Sequence, residues 1–235
     1  MQQVPIRVSA PPTSARQAAR AGAMLLLASL LAGCAATRSP LGGAFDRPIE
    51  RNTNAPKVSV LFLFRHLSQQ HGFDAIPKLQ FTGVKDFDNL FRDALAEISN
   101  ISRYETFTKL PDDVNSPKRR EQLEAARASA DYVIEIAFFE ESSFKQQCLS
   151  GTISLLSLTA IPMPFDWDYT ITAVVDQKGG RRVASYQRKA TLSNWVEAFL
   201  IFAYPFYPLE GKREEIFSDS MRNIFGQVET EKVLK

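Results

Sequence analysis

Val58-Ser59-Val60-Leu61-Phe62-Leu63-Phe64 is a short, almost continuously apolar run rich in Val and Phe. Such a run suits a strand covered on both faces, so it predicts the centre of a sheet. Downstream, Phe87, Leu90, Phe91, Ala94, Leu95, Ile98 and Ile101 recur at three-and-four spacing, with Asp86, Asp88, Arg92, Asp93 and Glu97 between them. That pattern predicts an amphipathic helix between Lys85 and Ile101, with acids in its first turn as the helix dipole favours. Tyr104 to Phe107 reads as a short strand and Pro111-Asp112-Asp113 as a turn, after which Ser116-Pro117 opens a second helix to about Ala130. Tyr132 to Phe139 begins a longer strand, Asp168 to Val175 another, and Arg182 to Thr191 its return after the Lys178-Gly179-Gly180 turn. Phe217, Met221, Ile224, Phe225 and Val228 then stripe a C-terminal helix.

The order is β-α-β-α-β-β-β-α: a mixed α/β sheet of about five strands with three helices. Right-handed crossovers make its first half parallel, and hairpins make its second half an antiparallel meander. No repeat interrupts residues 56–235, which read as a single domain.

Upstream of the strand the chain changes character. Residues 34–55 are small and polar, broken by Pro and Gly without hydrophobic period, and read as a flexible tether with a span of roughly 25 Å and a stretched limit of about 70 Å. Before them, Arg7, Arg16 and Arg20 precede an apolar run from near Ala21 that ends in Leu31-Ala32-Gly33-Cys34. Cations, an apolar stretch too short for a permanent span, and small residues where a peptidase must approach the backbone make residues 1–33 a secretion address. The last four residues resemble the lipobox of bacterial lipoproteins. That resemblance implies cleavage between Gly33 and Cys34, diacylglycerol on the Cys34 sulfur, and acylation of the new amino terminus with a chain such as palmitate. Ala35, in place of Asp, implies by the same resemblance the outer membrane, facing the periplasm, over the inner membrane.

Composition narrows the function. The chain holds 28 Lys and Arg against 26 Asp and Glu, and three of the arginines precede Cys34, which leaves 25 basic residues in the mature part. This balance gives a nucleic-acid partner no electrostatic support. With two cysteines in all and one of them in the lipobox, no internal disulfide is expected, and Cys148 reads as a small buried hydrophobe.

Two segments stand out. Residues 151–165, including Leu155, Leu156, Ile161 and Phe165, carry no charge; nor do residues 198–209, with Phe199, Phe202, Tyr204, Phe206 and Tyr207, which follow Trp195. Both are too short to cross a bilayer as helices, and both carry prolines. The strand order brings them out side by side, at the edge where the parallel strands end and open α/β sheets place their crevice. They either complete the core, form a docking surface for a membrane or a protein, or line a pocket for an apolar ligand.

Catalytic patterns are missing. His66 and His71 stand five apart and read as a solvated loop, while Asp166 and Asp168 read as ordinary carboxylates on one face of a strand. Ser150 and Ser193 lack a nucleophile-elbow context, Gly179-Gly180 lies in a hairpin, and Lys118-Arg119-Arg120 reads as a solvated helix face. No metal site, cofactor or enzymatic activity is expected. In element order, residues 57–230 resemble small α/β envelope lipoproteins such as the TolB amino-terminal domain and the curli-secretion lipoprotein. The expectation is a lipid-anchored, non-enzymatic envelope lipoprotein that contacts a membrane surface or an envelope partner through an apolar end. A carrier of a lipid or other apolar ligand, and a self-assembling structural lipoprotein, remain open beside it.

Overall fold

The long apolar strand lies inside one mixed sheet, paired on both sides, but one strand from its edge and not at its centre. The computed structural model describes residues 36–235, apart from 52, 53, 82, 83, 85, 159 and 197–208. Among the described residues are seven strands, β1 (Ala36–Arg38), β2 (Val58–His71), β3 (Lys78–Leu79), β4 (Ile101–Thr108), β5 (Tyr132–Ser143), β6 (Met163–Gln177) and β7 (Arg181–Val196). Four helices join them: α1 (Phe87–Leu95), α2 (Pro117–Ser129), α3 (Phe144–Leu156) and α4 (Leu209–Thr230). The sheet order is β1-β7-β6-β5-β2-β3, and β4 also pairs with β2.

Strand β2 pairs in parallel with β4 and with β5, whereas β5, β6 and β7 run antiparallel in turn. The chain steps from β2 to β4 through α1, then back across β2 to β5 through α2. Right-handed crossovers in opposite directions put α1 and α2 on opposite faces, which is why β2 is apolar on both. Phe62 and Phe64 pack on one face with Phe91, Phe217 and Phe225 of α1 and α4, while Leu61 and Leu63 are equally buried on the other. Tyr169, Ile171, Ala173 and Val175 of β6 extend the first face, as their alternation requires. The turn to β7 uses Gly179 and Gly180 at φ of +91° and +82°, a conformation that favours glycine.

The architecture is the mixed α/β sheet expected, with more elements than the five strands and three helices read from sequence. Strand β2 continues past Phe64 to His71, so His66 and His71 lie on a strand and not in a solvated loop; twelve residues of pairing with β5 hold them there. His66 is buried because it continues the inward alternation of Phe62 and Phe64. Helix α1 ends at Leu95, short of Ile101: Ile98 is buried in the connection and Ile101 begins β4, so the apolar spacing outlasts the helix. Arg119 is not simply solvated, since it pairs with Asp113, donates to the Thr108 carbonyl at 2.8 Å and lies 4.6 Å over the Phe107 ring.

The stretch read as a tether is the largest difference. Residues 36–38 form β1 along β7, and Gly42 exchanges backbone hydrogen bonds with Lys189 at 2.7 and 3.0 Å. Farther on, the Asn223 side chain accepts from Phe45 N–H and donates to Phe45 C=O at 2.8 and 3.0 Å, and Thr230 accepts from Glu50 N–H at 3.2 Å. Asn223 is itself fixed by the buried Arg188, whose Nε donates to it at 2.6 Å. The segment has no hydrophobic period because it is held by backbone pairing and polar side chains, which leave no periodic trace. Arg38 adds ion pairs to Glu215 at 3.0 Å and Asp219 at 2.6 Å, all three groups partly exposed. Arg38→Ala is expected to cost about 1 kcal/mol, and amide exchange at Ser39 and Gly42 should accelerate about fivefold.

Candidate contact surface

One row of residues crosses the sheet and marks where its apolar end begins. Gln69 stands opposite Glu141, Glu141 opposite Asp168, and Asp168 opposite Thr191, whose carbonyl accepts from Ser39 N–H at 2.8 Å. Beyond this row lie the last residues of β2, β5 and β7 and the first of β6 and β1. Met163 pairs with Val196 and Pro164 with Trp195, which places the end of the first uncharged segment beside the residues that precede the second; residues 197–208 lie outside the described residues.

Helix α3 lies against this end and is inverted. Its N-cap Ser143 accepts from Gln146 N–H at 3.4 Å. The side facing the sheet is polar: Gln146 donates to Asp166 at 2.6 Å, Gln147 accepts from Gln70 at 2.8 Å, and Ser150 donates to the Pro164 carbonyl at 2.9 Å. Ser150 and Ser154 are 3% and 6% exposed, whereas Leu155 and Leu156 are 75% and 79% exposed. Leu149 and Leu158 are exposed with them. An amphipathic helix in water turns its leucines to the core, and α3 turns its serines there. Beside it, Phe73 and Ile76 stand exposed on the turn after β2, and Phe73 meets Phe144 at 5.7 Å between ring centroids; Phe81, exposed after β3, lies level with Arg65 on the other side of the row. Most of the exposed large apolar side chains among the described residues thus gather at one pole, a concentration that marks contact surfaces.

The residues singled out in the sequence divide accordingly. Leu155, Leu156 and Ile161 are exposed, Trp195 sits at the margin of exposure, and Phe165 is half-buried. Phe199, Phe202, Tyr204, Phe206 and Tyr207 lie outside the described residues, as do Gly33, Cys34 and the secretion address. Cys148 is exposed on α3, not buried, because its helix faces outward. Phe73, Ile76, Phe144, Leu149 and Leu158 are additions. The signal for the helical ones was present: Gln146, Ser150, Ser154 and Ser157 recur at three-and-four spacing, opposite the leucines. Asp166 accepts from Gln146 and Asp168 from Thr191, each at 2.6 Å.

A polar cleft of about 360 Å³ adjoins the pole, lined by His66, Gln80, Glu140 and Arg213 with Phe81, Phe138 and Phe217. Burial, aided by the Arg213 charge, pulls the His66 pKa down to about 4. Burial pushes Glu140 up, against the Arg213 charge and a hydrogen bond from Tyr169. Tyr169 is raised by burial and by the neighbouring Glu140 carboxylate. The cluster is neutral imidazole, carboxyl and guanidinium under an aromatic wall. Among the described residues no group of three His, Cys, Asp or Glu is placed to hold a metal ion, and no helix is long and apolar enough to cross a membrane.

No family model and no curated protein matches the chain. Among solved structures it is similar to the PelC dodecamer from Paraburkholderia phytofirmans, at 10% identity and a TM-score of 0.31, covering 83% of this chain and 98% of that one. A variant of that dodecamer in another crystal form is 10% identical at a TM-score of 0.24, over 80% of this chain and 97% of that one. A neuraminyllactose-binding hemagglutinin homolog from Helicobacter pylori is 9% identical at a TM-score of 0.29, over 79% and 96% of the two chains. TM-scores of this size carry no argument about what this chain does.

Proposed function

We propose that the protein is a lipid-anchored, non-enzymatic lipoprotein of the cell envelope, which works by contact through the apolar pole of its domain. The inverted helix α3 carries this reading. Each exposed leucine moved from water into an apolar phase is worth about 2 kcal/mol, and Leu149, Leu155, Leu156 and Leu158 stand ready together. A carrier of an apolar ligand would turn these leucines inward around a cavity, and they point out. The lipobox Leu31-Ala32-Gly33-Cys34 supports the anchor, and the absence of a nucleophile-elbow or metal-ligand spacing supports action without chemistry.

Two measurements test the reading. Mass spectrometry of protein taken from the envelope should find a mature chain beginning at an acylated Cys34; an uncleaved, unmodified amino terminus would sink the anchor. For contact, an unlipidated Cys34→Ser form exported behind a soluble-protein leader should be retained by envelope membranes. Leu155→Ser with Leu156→Ser should lower that retention at least about tenfold, since two leucines exceed the 1.4 kcal/mol that a factor of ten requires. Both positions are exposed, so the fold should survive, and retention equal to that of the unsubstituted form would remove the pole from the reading.

A further inference from the structure

The first strand decides what the apolar pole meets. Ala36 pairs with Asn194, three residues beyond the Ser39 to Thr191 hydrogen bond, and therefore lies about 10 Å farther toward the pole than the row that crosses the sheet. Strand β1 runs from the pole into the sheet. Cys34 precedes Ala36 by two residues, and two peptide units reach about 7 Å at most. A lipid on Cys34 is thus attached at the end of the sheet that carries α3 and the Phe73 and Ile76 side chains.

We propose that the partner of the apolar pole is the bilayer that holds the Cys34 lipid. The inference rests on the reading of Cys34 as acylated. The domain stands end-on, with α3 in the boundary between headgroups and acyl chains and the turn after β2 beside it. Slack of about 7 Å is less than the roughly 10–12 Å diameter of one helix, so a protein partner has no room between the pole and the headgroups. Any surface at this pole is pressed against lipid by the covalent anchor, and this one is apolar. Its charges are mostly paired: Lys145 stands exposed on α3, but Lys78 is paired with Asp74, His71 with Glu141 at 2.6 Å and Arg38 with Glu215 and Asp219, and Asp166 accepts from Gln146. Contact of this kind is driven by apolar burial, and added salt should not release it.

The chain supplies its own reporter. Of its two cysteines, acylation blocks the sulfur of Cys34, which leaves Cys148 on the outward face of α3 as the reactive thiol. The lipidated full-length mature protein is labelled at Cys148 with an environment-sensitive fluorophore and reconstituted into vesicles of phosphatidylethanolamine and phosphatidylglycerol. The emission should shift to the blue and be quenched by lipids spin-labelled on the acyl chain, at low and high salt alike. A probe at Lys178→Cys in a Cys148→Ser background, in the turn at the opposite end of the sheet, should report water. Leu155→Ser with Leu156→Ser should weaken the quenching at Cys148. If the protein floats with the vesicles while the Cys148 probe reports water, the anchor stands and this inference alone falls. Failure to float, with no lipid on Cys34 by mass, overturns the inference together with the anchored reading. A blue shift that needs no vesicles and grows with protein concentration would assign the pole to a second copy of the chain and overturn the bilayer.

Discussion

Truncating Phe62 to Ala is expected to remove about 3–5 kcal/mol of stability, a large share of the roughly 5–15 kcal/mol that holds a domain of this kind. Phe62 is fully buried on the interior strand β2, and its ring meets Phe91 at 4.9 Å, Phe225 at 5.7 Å and Tyr104 at 6.4 Å between centroids. These partners come from α1, α4 and β4, so the loss falls on the seam where both helices meet the sheet. The backbone around β2 is paired on both sides and cannot collapse inward to fill the space. Denaturant unfolding should show a lower midpoint with an unchanged slope. Phe62→Leu, which keeps most of the volume, should lose less than half as much. Val183→Ala, on an exposed stretch of β7, should stay within about 0.5 kcal/mol and serves as the control. A Phe62→Ala protein as stable as the parent would mean that this face of the sheet is not the core.

The second large effect is acid sensitivity centred on His66. Its pKa falls from 6.5 to about 4 because burial disfavours the charged ring and Arg213 repels it. Above pH 6.5 the ring is neutral folded and unfolded, and its contribution is complete. As the pH drops from about 6.5 toward about 4 the unfolded chain takes up a proton that the folded chain refuses, so stability is lost across that window, by about 2 kcal/mol at pH 5 and roughly 3 kcal/mol in all. Glu140 works in the opposite sense. Burial raises its pKa from the ordinary value, so the folded state binds a proton more readily and gains stability as pH falls through its titration. Glu140→Gln should therefore remove this offset and deepen the acid loss. His66→Phe should abolish it, while preserving the stack that His66 makes on Phe138 at 4.7 Å. Parallel stability curves for the parent and His66→Phe over this range would show that His66 does not titrate as its burial requires.

Legibility in the sequence followed the kind of force at work. Strand β2, α1, the β6 to β7 hairpin and the stripe of α4 are built by apolar burial on one period, and Phe64, Phe91, Ile171 and Phe225 declare it; that β2 stands one strand from the edge follows from β5, β6, β7 and β1 all adding on one side of it. Strand β1 and the path to Glu50 are built by hydrogen bonds to Lys189, Asn223 and Thr230, residues distant in sequence, and no local pattern encodes them. His66 and His71 looked like loop residues because their strand is polar at its end, yet pairing with β5 extends the ladder that far. Helix α3 was hidden for a different reason. Its leucines and serines follow helical spacing, but uncharged residues 151–165 read as one apolar block when the serines are taken as neutral filler. Leu155, Leu156, Ile161 and Trp195 are visible as candidates in the sequence; their grouping with Phe73 and Ile76 depends on the turn after His71, which only the folded chain brings alongside.

The pairing of β1 with β7 joins the opening element of the sheet to its last strand. A chain that emerges amino end first presents Ala36–Arg38 while Arg181–Val196 has yet to appear, and during that interval the earlier strand is an unpaired edge. Three residues are too few to template association with a neighbour, so the delay carries little hazard. The sheet is consequently fastened in reverse, its inner strands first and its leading residues last, and vectorial delivery ends with the newest hairpin gathering in the oldest part of the chain.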